Sequence, residues 1–579
     1  MSNSQEVELY KKFKEVSIAE FFEKNRHLLG FESPRKALYI TVKELVDNSL
    51  DACEEARILP EVKVEIIQAK PGVYTVTVYD NGPGIPKEHV PNVFGKFLYG
   101  SKFHRYVSTR GKQGIGVSAV TLYAQLTTGS PIKVITKPLN DSRVHYFEIK
   151  IDVKRNEPLV IKYQSYDPYY FSKKIGWEFI KDHGTIVSAT IKAEYVRGKQ
   201  SVDEYITLTA LANPHANIYY ISPKTKLVFK RITNKLPELY ETKPHPHGIE
   251  IGVLERMLKE TSARTLKEFL KKEFASVGDK TAEEILKKAN LNPNKDPHSL
   301  TWEEIERLYN AMQETKVRSI PAKYIVTLGE DLIRESLMRI FKPEFVAAVT
   351  RKPAVYRGLP FIVEAGIAYG GEIKEQKAHI IRLANRVPLL YKAGECAITH
   401  AVKEINWKYY GLKEEGGIPQ GPVVIMVHVA SVWIPFTSES KEAIAPYPEI
   451  VKEIKAALRD VARQLSLYLK KKKATEELKE KYKIFLGYGL ELAKALSEML
   501  GKPREEIEEV IKQRIREKAL EELRSIILTV KDIQELIKTG KMNEAKQIIY
   551  NWVSDIIKLG ILKDSDIDDM IRWYLSRKS

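Results

Sequence analysis

An α+β chain of several domains is what this sequence predicts, and three observations predict it. Over residues 13 to about 240, helical patterns alternate with strand patterns such as Val62–Gln68, Val73–Tyr79, Ile132–Thr136 and Thr185–Lys192. From Ile249 to about Thr315 the apolar residues recur only at helical spacing, with Leu254, Met257 and Leu258, then Leu266, Phe269 and Leu270. From about Ser319 strands return (Phe361–Ile367, Ala378–Leu383, Val423–Val429) and give way near Glu449 to a long helix and a helical tail. These changes of pattern divide the chain into 1–240, 241–318, 319–474 and 475–579. The Pro-His-Pro-His-Gly stretch before Ile249 marks the first boundary.

Composition narrows the class. With 43% hydrophobic and 29% charged residues among 579, this is an ordinary globular composition. No apolar run approaches a membrane span, and the charged N-terminal stretch has no signal-peptide core, so the expected location is the cytoplasm, with no membrane partner. Two cysteines, Cys53 and Cys396, exclude a disulfide framework and a cysteine zinc site. A net charge of +17 favours an anionic partner, of which nucleic acid is the commonest large one. Abundant lysine and glutamate also suit a thermophile.

In the helix predicted from Arg35 to Arg57, Glu44, Asn48 and Asp51 share one face with Asp47 beside them, while Leu38, Val42, Leu45 and Ala52 form an apolar face. Such a polar stripe is either solvated or meets a charged partner, and Mg²⁺ with a phosphate chain fits it. Val73–Tyr79 alternates with Tyr74, Val76 and Val78 in phase, which turns Asp80 inward. Asp80 opens Asp-Asn-Gly-Pro-Gly, where Gly82 and Gly84 allow a tight turn against a flat ligand; an inward carboxylate there suits an exocyclic amine such as that of adenine. As a lone motif, Asp-Asn-Gly is more often just a turn. Gly111-Lys112-Gln113-Gly114-Ile115-Gly116-Val117-Ser118 leads into a helical run, so that backbone amides face the positive end of a helix dipole, as phosphate sites require. The glycine order matches neither a P-loop nor a dinucleotide-binding fingerprint.

These three ordered motifs resemble the GHKL ATPases, which comprise gyrase-type topoisomerases, MutL-type repair proteins, the heat-shock chaperone ATPase and histidine kinases. The match is closer to the B subunits of topoisomerase VI, through Phe21–Asn25, Gly30-Phe31, Lys43–Asp51, Phe94–Lys102 and Thr437–Ala445, and it covers about 10 to 470. The resemblance implies a GHKL sandwich, an inserted helix–two-turn–helix domain, a ribosomal-protein-like transducer domain with a stalk helix, and a helical C-terminal extension.

It also implies roles. Glu44 is the general base, Asn48 holds Mg²⁺, and Asp80 reads adenine. The glycine loop Gly111–Ser118, with Ser101 and Lys102 on a lid, wraps the phosphates of ATP, and Thr185, after His183-Gly184, closes the pocket. Lys441 meets the γ-phosphate and senses hydrolysis. Arg197 and Lys199 in a basic glycine turn, Trp407, Lys408 and Tyr410 in a Trp-Lys-x-Tyr motif, and Lys470 and Lys471 in a run of four lysines are the candidate DNA contacts. Read without the resemblance, Trp407 is a half-buried core residue.

No acidic site for DNA cleavage is visible, and no tyrosine is marked as a nucleophile. The implied assembly is therefore an A2B2 heterotetramer with a cleaving A subunit, in which ATP dimerises two copies of this chain around double-stranded DNA. The alternatives are a MutL-like ATPase and a clamp or chaperone that cycles on DNA without cleaving it. The first dozen residues are expected to form a loose arm exchanged between subunits. His245 and His247 lack further metal ligands, and Asp564, Asp566 and Asp568 read as surface charge.

Overall fold

The computed structural model describes residues 16–100, 105–111, 114–175, 182–438, 440–527, 537, 542–558 and 560–576. The chain divides into two compact units at Leu465/Ser466, along the helix Pro448–Leu500.

The first unit is organised on two sheets. Strands β1 (Glu61–Lys70), β2 (Val73–Asp80), β3 (Ile132–Lys137), β4 (Val144–Asp152), β5 (Glu157–Tyr166), β6 (Gly184–Lys192), β7 (Asn217–Ile221) and β8 (Lys226–Phe229) form a mixed sheet of order β5-β4-β3-β6-β2-β1-β7-β8. Only β1 and β7 pair in parallel. In β1 and β2 alternate residues are buried, as one covered face requires, and Val62, Val64, Val76 and Val78 lie beneath the helices Pro34–Glu55 and Gly116–Thr128. The Pro34–Glu55 helix starts as its sequence dictates: the Ser33 hydroxyl accepts from the Lys36 amide at 3.3 Å and Pro34 opens the first turn.

Residues Ile251–Glu314 form four helices with a separate core of Leu254, Leu258, Leu266, Phe269, Leu270, Ile285, Leu286, Leu308 and Met312. Thr301 and Glu304 close a reciprocal capping box on the last of them. His245 and His247 are spent on the carbonyls of Arg318 (3.1 Å) and Thr315 (2.9 Å), and no cluster of three metal-ligating side chains occurs among the described residues.

The second sheet comprises β9 (Phe345–Thr350), β10 (Ala354–Tyr356), β11 (Leu359–Tyr369), β12 (His379–Ala384), β13 (Val387–Pro388) and β16 (Val423–Ser431), with β14 (Glu414–Glu415) and β15 (Ile418–Pro419) pairing apart. Its central strand β16 is buried throughout, and β12 runs parallel to it. The one acidic side chain of β11 and the one histidine of β16 face each other, both buried: His428 Nδ1 lies 2.8 Å from Glu364 Oε2.

The second unit is helical, with Arg504–Ile527, Met542–Lys558 and Asp564–Ser576 around a core that includes Tyr482, Leu523, Val553, Met570 and Tyr574. Here one expectation is corrected. Asp566 is buried, not surface charge, because it caps its helix from the Lys563 amide (2.8 Å) and receives both arms of Arg516 at 3.0 and 2.5 Å. The N-terminal arm and residues 528–536 of the expected helical tail lie outside the described residues. Among the described residues no helix is long and apolar enough to cross a membrane.

Candidate nucleotide site

Asp80 stands where the phase of β2 puts it, 5% exposed and in register with Thr185 of β6, which is buried as well. The Ser49 hydroxyl donates to its Oδ2 at 2.8 Å and the Gly82 amide to its Oδ1 at 2.9 Å. Burial still wins: it pushes the Asp80 carboxyl up to about 6 against these hydrogen bonds. The turn after it needs glycine, since Gly84 has φ +71° and a Cβ there would sit 2.3 Å from the Lys137 carbonyl oxygen.

Five residues before Ser49 on the same helix, Glu44 forms an ion pair with Lys43 (2.9 Å), which also reaches Asp47 (3.2 Å). Burial pushes the Glu44 carboxyl up, but Lys43 outweighs it and holds the group below the usual range, so it stays ionised at neutral pH. Gly116 lies directly over this carboxylate: a Cβ on it would be 1.8 Å from Glu44 Oε2. The helix that Gly116 opens has no side-chain cap, so its first amides are left for an anion. Gly114, at φ +57°, accepts from the Leu98 amide at 3.1 Å, and the Gly111 amide donates to Asp51 Oδ2 at 3.1 Å. Asn48 is exposed with its Oδ1 close to Gly111, where a cation between helix and loop would meet it. Ile115 and Val117 pack on the core, and the buried Ser118 hydroxyl donates to the Lys96 carbonyl at 2.8 Å, anchoring the helix.

Lys441, far along the chain, arrives at the same place. It has φ +53°, is half-buried, and shares a cavity of about 320 Å³ with Lys43, Thr109, Arg110, Asn385 and Trp433. Burial and the neighbouring Lys43 lower the pKa of its ammonium group, while Glu44 partly offsets them. Among the described residues its ammonium group has no ion-pair partner. A cation drawn this far out of solvent without a partner calls for an anion. Ser101, Lys102, Lys112 and Gln113 lie outside the described residues.

The expected DNA contacts differ in exposure. Arg197 is exposed, 3.8 Å from Asp203, and the exposed Lys199 gives its carbonyl to Arg35. Lys408 and Lys470 are exposed and Lys471 is half-buried. Trp407 and Tyr410 are corrected: both are buried, Trp407 completely, because its short 3-10 turn points the indole inward to donate to the Val402 carbonyl at 2.9 Å. Neither side chain is available to a DNA backbone in this fold.

The sequence reading missed Glu54, Arg110 and Arg386. Glu54 is one turn beyond Asp51 on the same helix face, and Arg110 immediately precedes the glycine loop, so both were visible as charges beside motifs. Arg386 carried no local signal.

An open helix N-terminus over a helix-borne glutamate, with a buried strand-end aspartate beside it, defines an ATPase of the histidine kinase-, DNA gyrase B- and HSP90-like class, and the family of that description matches residues 34–155. The topoisomerase VI B subunit transducer family matches residues 321–481. Among curated proteins, the B subunit of type 2 DNA topoisomerase 6 from Methanosarcina mazei is 46% identical over 509 residues, 87% of this chain and 80% of that protein. The proteins of the same name from Archaeoglobus fulgidus (46% over 505 residues, 86% and 82%) and Sulfurisphaera tokodaii (41% over 543 residues, 92% and 99%) are similar throughout. The chain belongs to the family of type 2 DNA topoisomerase 6 B subunits. It is thus an ATPase subunit of an archaeal-type type II topoisomerase, and it binds nucleotide.

Proposed function

We propose that ATP, with Mg²⁺, closes two copies of this chain into a gate around a DNA duplex, and that hydrolysis reopens it. Asp80 accepts from the adenine amine, Asn48 contributes its side-chain oxygen to the cation, and the glycine loop Gly111–Ser118 wraps the phosphates through the amides that open its helix, with Ser101 and Lys102 on the lid and Thr185 closing the pocket. Bound Mg²⁺ would neutralise charge developing on the transferred phosphoryl group. Glu44 orients the attacking water. Its low pKa makes it a weak base, which suffices where positioning supplies most of the acceleration.

The observation that carries this reading is Lys441 beside Glu44: a cation of the transducer-matching segment with no ion-pair partner among the described residues, delivered to the place where the γ-phosphate would end. Only a contact that differs between ATP and ADP shifts a domain equilibrium, and a cation facing the γ-phosphate is such a contact. Residues 241–318 and 319–474 act as the helix–two-turn–helix and transducer domains, and 475–579 as an extension. A separate A subunit cleaves the DNA, in an A2B2 complex in the cytoplasm; passage of the second duplex relaxes positive and negative supercoils and decatenates. Arg197, Lys199, Lys408, Lys470 and Lys471 remain the proposed DNA contacts.

The test is ATP hydrolysis by the purified chain with and without long supercoiled DNA and the A subunit, using Glu44→Ala as blank. Turnover that needs both, with plasmid relaxation, is expected. Turnover indifferent to both would favour a clamp or chaperone.

A further inference from the structure

The turn between β12 and β13 is built from two consecutive non-glycine residues in the left-handed region, Asn385 at φ +45° and Arg386 at φ +67°. Positive φ at both central residues is the ordinary geometry of a two-residue hairpin turn, which favours Asn at the first position, so only the arginine at the second is unusual there. The surroundings here belong to the nucleotide site. Both arms of Arg386 grip the two oxygens of Glu54, at 2.7 and 2.9 Å. Glu54 also receives Arg110 (2.7 and 3.1 Å) and His215 (2.7 Å), and Arg110 continues to Asp51 at 2.7 Å. Asp51 accepts from the Gly111 amide, the first of the glycine loop. Asn385 meets the residues just before that loop: its Nδ2 donates to the Thr109 carbonyl and its Oδ1 accepts from the Ser108 hydroxyl, both at 3.4 Å.

On its other side the turn is tied into the second sheet. The Arg386 amide donates to His428 Nε2 at 3.0 Å, so the imidazole carries its proton on Nδ1 and donates it to Glu364. Glu364 in turn accepts from the Leu328 and Gly329 amides (2.8 and 2.7 Å), which precede the helix Glu330–Phe341. Every charged member of this series is buried. Three carboxylates and two guanidiniums are expensive to bury, and apolar residues of similar volume would hold two domains together at less cost, so the arrangement specifies position more than it adds stability.

We infer that Arg386 is a positioning residue for ATP-driven closure: through Glu54, Arg110 and Asp51 it fixes the transducer-matching sheet to the phosphate loop in the one placement that brings Lys441 to the γ-phosphate. The inference rests on the proposed role of Lys441. Arginine supplies what lysine cannot, a planar fork matched to both Glu54 oxygens, so Arg386→Lys keeps the charge and loses the geometry.

Arg386→Lys, Arg386→Met, Lys441→Ala and the Arg386→Lys/Lys441→Ala double variant test it. Affinity for a fluorescent ATP analogue is measured on dilute, undimerised protein, and closure by X-ray scattering with a non-hydrolysable analogue. Each Arg386 variant is expected to bind nucleotide within about twofold of wild type and to close about tenfold less at saturation, a coupling of ordinary size, while Lys441→Ala, which removes the γ-phosphate contact itself, sets the level of closure lost with that contact. The double variant should close no less than the worse single one, because both act through the same placement. Wild-type closure of Arg386→Lys, affinity falling in step with closure, losses that multiply in the double variant, or failure of both Arg386 variants to fold would each overturn the inference. Wild-type closure of Lys441→Ala would instead remove the reading beneath it.

Discussion

Lys36 Nζ lies 2.7 Å from Glu442 Oε1, both side chains being almost fully buried, so the helix that carries Glu44 is ionically fastened to the residue next to Lys441. Lys36 has a second, more exposed partner in Glu32 at 2.9 Å, whereas the carboxylate of Glu442 meets Lys36 at its inner end and the Ser440 hydroxyl at 3.2 Å. The loop that presents Lys441 is thereby held at its base.

Glu442→Ala leaves Lys36 buried with one carboxylate, Glu32, and the Tyr391 ring 5.1 Å away. Removing one member of a buried pair costs roughly 3–5 kcal/mol, and the lower end applies here because Glu32 remains. The expected result is a lower melting temperature together with weakened ATP-driven dimerisation, read by calorimetry and scattering. Intact dimerisation would show that Lys441 finds its place without this anchor.

Glu44→Ala should abolish turnover, by about 10²-fold or more, while nucleotide still binds. Gly116→Ala should do nearly the same from the other side, since its methyl would lie 1.8 Å from Glu44 Oε2 and must displace the carboxylate. Single-turnover hydrolysis and nucleotide titration check both. Normal turnover in Gly116→Ala would mean that Glu44 acts from another position.

How far the sequence reached follows from the locality of each signal. Glu44, Asn48 and Asp51 are readable because helix spacing alone puts them on one face, and Asp80 because strand phase turns it inward. Lys441 was legible only through the flanking resemblance, since nothing in a Ser/Glu-rich loop says which distant helix it meets. Arg386 was not legible at all: its partner lies on another sheet's helix layer, and an Asn-Arg pair resembles any turn. Trp407 failed for a different reason, because a cation among aromatics gives no direction, and the 3-10 turn that buries the indole depends on Val402 and on Glu414, which accepts from the Trp407 amide at 2.8 Å. Asp566 likewise needed Arg516, from another helix, to become an interior charge.

Removal of residues 475–579 should leave ATP hydrolysis within about twofold of the full chain. Every group assigned to the nucleotide site lies before Leu465, in a unit with its own core. Steady-state hydrolysis and a melting curve decide this, and a folded but inactive truncation would give the extension a part in turnover.

Nucleotide affinity should fall in acid through Asp80. Its carboxyl titrates near 6, well above the usual range, so the folded chain holds this proton more tightly than the unfolded one. The stability that Asp80 contributes is therefore full below the ordinary carboxylate pKa and lost as pH rises through about 6. Affinity runs the other way, because only the ionised group is a full acceptor for the adenine amine. At pH 5 about a tenth of the molecules are ionised, and the apparent Kd should be about tenfold weaker than at pH 7.5. Asp80→Asn cannot titrate, so it should bind weakly at both values and report the nucleotide's own phosphate titration, which is then subtracted. A wild-type profile parallel to that of Asp80→Asn would show that adenine is read by another group.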